Sequence, residues 1–259
     1  MSPLSPNGPS EFLPAILRLL PEAHTSLRVW LTANSTRDIP AEAWPLLDAH
    51  FAALAARRAV TRAADLPRLA ASGWGARVSV WQGDITALGV DALVNAANRG
   101  LTGCWTPFHA CVDNAIHSAA GPRLRAACEA IMAERGRPEP TATATVTSAG
   151  ALSARYVVHT VGPIVRTPAP TAEDARLLAR CYTACVEAVA GRADVASLAF
   201  CGISTGVFGY PPAAAAPVAL AAVREALERG AAPEHIVFVT YTSTAHAIFA
   251  AAIEEALRG

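Results

Sequence analysis

From Arg77 onward, short apolar runs alternate with longer stretches whose apolar residues recur at helical spacing, and this alternation constrains the fold more than any other feature. "RVSVWQ", "DALVNAAN", "TATVTSAG", "RYVVHTVG", "VASLAFCG" and "HIVFVTY" read as strands. "HACVDNAIHSAAG", "PRLRAACEAIMAERG", residues 173–190, "AAAAPVALAAVREALERG" and "AHAIFAAAIEEALRG" read as helices, with Pro217 a place for a kink. Strands separated by helices need long crossovers, which favours parallel pairing in a sheet covered on both faces. In such a sheet ligands settle on the loops after the carboxyl ends of the strands.

The stretch before Arg77 has another grammar. "SEFLPAILRLLPEAH" and "AEAWPLLDAHFAALAARRAV" carry apolar residues at helical spacing and are joined by the polar "TANSTRDIP". Trp44, Leu47, Phe51 and Leu54 share one face of the second helix, and that face is expected to dock on the main domain. Pro67 and "ASGWG" mark the boundary, giving a helical extension over residues 1–73 and a main domain over residues 74–259.

Charge excludes some roles. The 21 basic residues, all Arg, balance 21 acidic ones, and no basic block is present. A non-specific nucleic-acid or membrane-surface role is therefore disfavoured. The N-terminus lacks a basic n-region, and Arg18 and prolines break its apolar stretch, so no signal peptide is expected. The apolar run at Ala213 to Val223 is too short to span a bilayer. Without a secretion signal the six cysteines read as reduced thiols or metal ligands, and the expected location is the cytoplasm.

Unusual chemistry falls on the expected ligand edge. In "QGDIT", Asp84 either accepts a hydrogen bond from an exocyclic amine or caps a turn. In "NAANRGLTG", Asn95 and Asn98 suit sugar hydroxyls. "CGISTGVFGYP" combines glycines with Ser204 and Thr205 and lacks the lysine of a triphosphate loop, so it is either an ordinary turn or a backbone cradle for a diphosphate. Cys104, His109 and Cys111 form a C-x4-H-x-C array that suits zinc, the alternative being small buried cysteines beside a helix-entry histidine. Three protein ligands leave an open position, the mark of a catalytic site, because His117 lies farther along in the helix. Cys128, Cys181, Cys185 and Cys201 read as core and His159 as a satisfied strand residue. His24, His50, His235 and His246 read as surface or packing histidines.

In order, "GDIT", "VDALVNAAN", "DNAIHSAAG", "YVVHTVGP" and "GISTGVFGYP" resemble the macrodomain family over roughly residues 77–257. The resemblance implies a three-layer α/β/α fold with a mixed, largely parallel sheet. Asn98, Gly103 and the run from Asp113 to His117 resemble its hydrolases, and the inserted "CWTPFHAC" and helical extension resemble its zinc-dependent branch. That likeness implies removal of mono-ADP-ribose from modified proteins, on acidic side chains. Asp84 and Ile85 would hold the adenine, with Tyr241 flanking it. Ser204, Thr205, Gly206, Val207 and Phe208 would wrap the diphosphate, and Asn95 would join the substrate contacts. Asn98 and Asp113 would act at the distal ribose, beside Zn2+ on Cys104, His109 and Cys111. The likeness also implies deacetylation of O-acetyl-ADP-ribose as a side activity and pairing with a sirtuin-like transferase system. The alternatives are a non-catalytic ADP-ribose reader and a structural zinc-stabilised interaction module. Monomer is the default.

Overall fold

The computed structural model describes residues 11–23, 26–167, 169–230 and 233–258; expectations placed on residues 1–10 and on His24 lie outside the described residues. The N-terminal part forms α1 (Leu13–Leu19), α2 (Leu27–Ala33) and α3 (Trp44–Ala56). The first expected helix is shorter than its apolar pattern, ending before a 3-10 turn at Pro21–Ala23. The intervening α2 is not signalled by the apolar pattern; the Ser26 side chain caps it by accepting from Val29 N. These helices bury their own cluster around Ile16, Trp30, Ala43 and Leu47. The expected docking face of α3 is divided: Leu47 serves that cluster, Phe51 lies against Gly121, and Leu54 is exposed.

The chain then runs through β1 (Thr61–Arg62), β2 (Val78–Gln82), β3 (Leu88–Gly89), β4 (Ala92–Ala96), α4 (Val112–Ala120), α5 (Pro122–Arg135), β5 (Ala144–Ser148) and β6 (Tyr156–Thr160). It ends with α6 (Ala172–Ala190), β7 (Ser197–Phe200), α7 (Pro212–Glu228), β8 (His235–Thr240) and α8 (Ser243–Arg258). The main sheet has the order β2-β8-β7-β4-β6-β5, parallel throughout except for the antiparallel edge strand β5. β1 and β3 make a small parallel pair. Residues 61–73 are stitched to the main domain through that pair, and also by Leu69 N donating to Val78 O and Ser79 Oγ to Pro67 O.

Successive strand residues face opposite ways, and both faces are buried. Val94, Val158, Phe200, Ile236 and Phe238 pack with Leu178 and Tyr182 of α6, Val223 of α7 and Phe249 of α8. Leu93, Val157, Ala199, Val237 and Val239 pack with Ile116 of α4 and Leu124 of α5. Each such Val, Leu, Ile or Phe side chain contributes about 1.5–3 kcal/mol over its exposed state, so strands covered on both faces read as near-continuous apolar runs. The result is the three-layer α/β/α arrangement with a mixed, mostly parallel sheet. α7 continues through Pro217. Among the described residues, no helix is long and apolar enough to cross a membrane.

Candidate active site

Because five of the six strands run the same way, the loops after β2, β8, β7, β4 and β6 gather on one edge. At its β2–β8 corner, Gly83 N donates to Thr240 O, so Asp84 and Tyr241 follow neighbouring strand ends. Asp84 Oδ1 caps the next turn, accepting from Thr86 N and Thr86 Oγ1 at 2.9 Å each. The side chain as a whole is exposed, while Ile85 is buried behind it. Tyr241 is 78% exposed.

The loop after β7 is curled by its own hydrogen bonds: Tyr210 N donates to Ser204 O and Gly209 N to Gly206 O, at 3.0 Å each. Val165 N, from the loop after β6, donates to Phe208 O at 2.8 Å. Ser204 takes a left-handed conformation (φ +62°) that side chains rarely adopt. Its buried Oγ lacks a hydrogen-bond partner among the described residues. The Thr205 hydroxyl is engaged with Gly202 O. Gly206 faces open space, and Val207 projects outward, 69% exposed. Strained backbone with an unpaired hydroxyl marks a loop shaped for something other than its own packing.

The loop after β4 leads into α4 and carries the densest chemistry. Asp113, in the first turn of α4, is buried and bracketed by two amides. Asn95 Nδ2 donates to Oδ1 at 2.7 Å and Asn98 Nδ2 to Oδ2 at 3.3 Å. Asn98 also donates to Gly103 O and accepts from Gly100 N through Oδ1, so it fixes the loop around itself. Burial pushes the Asp113 carboxyl up to about 6, against the hydrogen bond from Asn95, the Arg125 charge and the bond from Asn98. Asn95, expected to meet a sugar, is instead 0% exposed and stands behind the carboxylate. Its position on a strand buried on both faces points the amide into the core. The same Nδ2 lies 3.2 Å from His159 Nδ1, whose Nε2 lies 2.9 Å from Thr147 Oγ1. Burial pushes His159 down to about 3, so the ring is neutral, with Nδ1 accepting from Asn95 and Nε2–H donating to Thr147.

His117 also belongs here, although its place farther along the helix makes it look remote in the sequence. It sits one helical turn past Asp113, with Nε2 3.6 Å from Asp113 Oδ1, and its buried nitrogens lack hydrogen-bond partners among the described residues. Burial, then His159 and Arg125, lowers its pKa well below the ordinary histidine value. A four-residue spacing on one helix is the signal that could have found it.

Cys104, His109 and Cys111 converge. Their donor atoms all lie within 4.8 Å of one another, and Cys104 Sγ is 3.5 Å from His109 Nδ1. Sulfur and nitrogen ligands of one tetrahedral zinc stand about 3.5–3.8 Å apart at ordinary bond lengths, so the donor set fits that ion. Cys111 is the cap of α4, its Sγ accepting from Asn114 N at 3.4 Å, where the helix dipole favours a thiolate. Burial above all, partly offset by that N–H, pushes the thiol up to about 11. Cys128, Cys181, Cys185 and Cys201 are buried thiols of the core.

The sequence carries the match as well as the geometry does. Residues 94–219 match the model of the Macro domain family. The chain is 47% identical over 190 residues to a protein-ADP-ribose hydrolase of Treponema medium, covering 73% of this chain and 72% of that one. It is 41% identical over 168 residues to a protein-ADP-ribose hydrolase of Staphylococcus aureus, covering 65% of this chain and 63% of its relative. Among solved structures, a macrodomain of Oceanobacillus iheyensis, a glycine-to-valine variant with ADPR, superposes with a TM-score of 0.64 at 33% identity. That likeness covers 70% of this chain and 94% of the other. The chain belongs to the macro domain family.

Proposed function

We propose that this chain is a hydrolase that releases mono-ADP-ribose from modified proteins, with acidic side chains as the linkage and zinc on Cys104, His109 and Cys111. The observation that carries the reading is the bracketed, buried Asp113 beside that donor cluster, on the same sheet edge as the strained loop after β7. Similarity to protein-ADP-ribose hydrolases and to a macrodomain with ADPR supports it.

In this reading the loop of Ser204 to Phe208 cradles the diphosphate through backbone N–H groups, and Asp84 receives the adenine amine at the β2–β8 corner, with Ile85 behind it and Tyr241 beside it. Asn98 and Asp113 face the distal ribose. Asp113 takes a proton from water as the water's oxygen bonds to the ribose C1″. The C1″–O bond to the modified carboxyl breaks, its electron pair leaves with the carboxylate, and the proton passes to solvent. A carboxyl held near 6 suits that task, because it is ionised near neutrality and more basic than an exposed aspartate. Asn95 and Asn98 keep both its oxygens aimed. Zinc, held by Cys104, His109 and Cys111, would be formally neutral with two thiolates and a neutral imidazole, and would supply Lewis-acid polarisation of a substrate oxygen over free hydroxide.

The test is release of ADP-ribose from a protein modified on Asp or Glu. Asp113→Ala should lower release by about 10²–10⁴-fold while binding of free ADP-ribose persists. Wild-type release by that variant removes Asp113 from the mechanism; binding without release by the natural chain makes it a reader.

A further inference from the structure

The N-terminal helices do more than cover one side of α4 and α5. Arg125 of α5 is 4% exposed, and its Nη1 donates to Leu31 O, Thr32 O and Asn34 O at 2.8, 2.9 and 2.9 Å. Those are carbonyls at the end of α2, where a helix leaves acceptors unsatisfied and a cation is favoured. One turn further along α5, Glu129 accepts from Ser35 Oγ at 3.0 Å and Thr36 N at 3.3 Å. The end of α2 is thereby clamped to α5.

The other side of the Arg125 guanidinium meets the cysteine loop. Its Nη2 lies 3.5 Å from Cys104 O, and its Cζ lies over the Trp105 ring, 4.4 Å from the centroid. A second arginine reaches the same loop from α2 itself. Arg28 lies over the Phe108 ring at 5.0 Å, and its Nη2 is 3.4 Å from Asn114 Oδ1; Asn114 Nδ2 in turn donates to Thr106 O at 2.9 Å.

Two features make these contacts matter. Phe108, beside the ligand His109, holds φ +58° and is 63% exposed, so neither backbone preference nor burial keeps the loop in shape. Between α2, α3 and the loop lies a cavity of about 150 Å³ reaching Cys104 and His117. Around that space Arg28 and Arg125 bridge α2 to the loop and to Asn114 beside it.

We propose that α2 braces the Cys104–Cys111 loop through Arg28 and Arg125, so that the N-terminal helices set how tightly the loop holds its metal. Both arginines are positioning residues; neither has a donor for the metal. The inference rests on the zinc reading above, and its test keeps the two apart. Zinc content and zinc affinity, by competition with a chelator, are measured on the full chain, on Arg28→Ala, on Arg125→Lys and on the double variant. Arg28 is exposed, so its loss leaves the fold alone. Lysine at 125 keeps a cation near the α2 carbonyls but gives up the guanidinium over Trp105 and part of its hydrogen bonding. Each change should weaken zinc about two- to fivefold, the worth of one cation–π contact at the lower end of the range, and the double variant about tenfold. The affinity for ADP-ribose should stay put in every variant, and so should the thermal midpoint of metal-free Arg28→Ala, whereas Arg125→Lys also gives up part of the hydrogen bonding to the α2 carbonyls and melts lower. Unchanged zinc affinity in the double variant overturns the brace, as does a loss of affinity in Arg28→Ala matched by an equal loss of its metal-free stability. A natural chain that binds no zinc overturns the metal reading, and the brace falls with it.

Discussion

At the scale of single residues, part of the site is built on close approaches that leave no room for a larger side chain. Gly103 shows this best. It holds φ +83°, a Cβ there would come within 2.7 Å of the His117 ring, and its carbonyl accepts from Asn98. Gly103→Ala should therefore cost about 2 kcal/mol, from left-handed strain together with the clash. That lowers the thermal midpoint by about 4–8 °C for a chain of this size. A variant melting with the natural chain would show that the loop relaxes freely. Residue types near Asp113 were legible in the sequence; their orientations were not. Asn95 and Asn98 look alike in "NAAN", yet the first is walled in by strand packing and the second opens toward the loop. His117 was readable from its spacing, whereas Arg125 was not, because its partners in α2 lie 91–94 residues away.

At the scale of elements the sheet was the legible part. Its central strands bury both faces, so apolar runs located them, and the helices between them favoured parallel pairing; the partly buried edge strand β5 is the antiparallel exception. The short pair β1 and β3 carries too few residues to show a pattern. The seven-residue α2 escaped for the same reason, being set by a serine cap and by docking on α5. That omission hid the contact between the extension and the cysteine loop. The expected boundary near residue 73 marks a change in sequence pattern, but hydrogen bonds already join residues 61–73 to β2 and β3.

At the scale of the whole molecule, buried histidines set the response to acid. His159, held near 3, His235, held near 4, and His117, held well below 6.5, are neutral in the folded chain and take up protons once unfolded. Between about pH 6.5 and 4 the unfolded state binds more protons at these three, so stability falls as pH falls. Asp113 works the other way, since its folded value of about 6 exceeds the ordinary 3.8 and the folded state gains a proton across that window. Three groups outweigh one. The unfolding free energy of the metal-free protein, from urea titrations, should drop by about 1–3 kcal/mol per pH unit between pH 6.5 and 4.5; a stability flat over that range would mean the three rings are not buried neutral.

Joining the scales is the claim that a metal on the α4 cap and a carboxylate in the first turn of that helix act on one ribose. The most direct measurement is zinc content and release of ADP-ribose from a carboxyl-modified protein, on the natural chain and on Cys111→Ala. The account predicts about one zinc per natural chain, with release, and neither in the variant, which still binds free ADP-ribose through the loop after β7. Release at the natural rate by the zinc-free variant would contradict it.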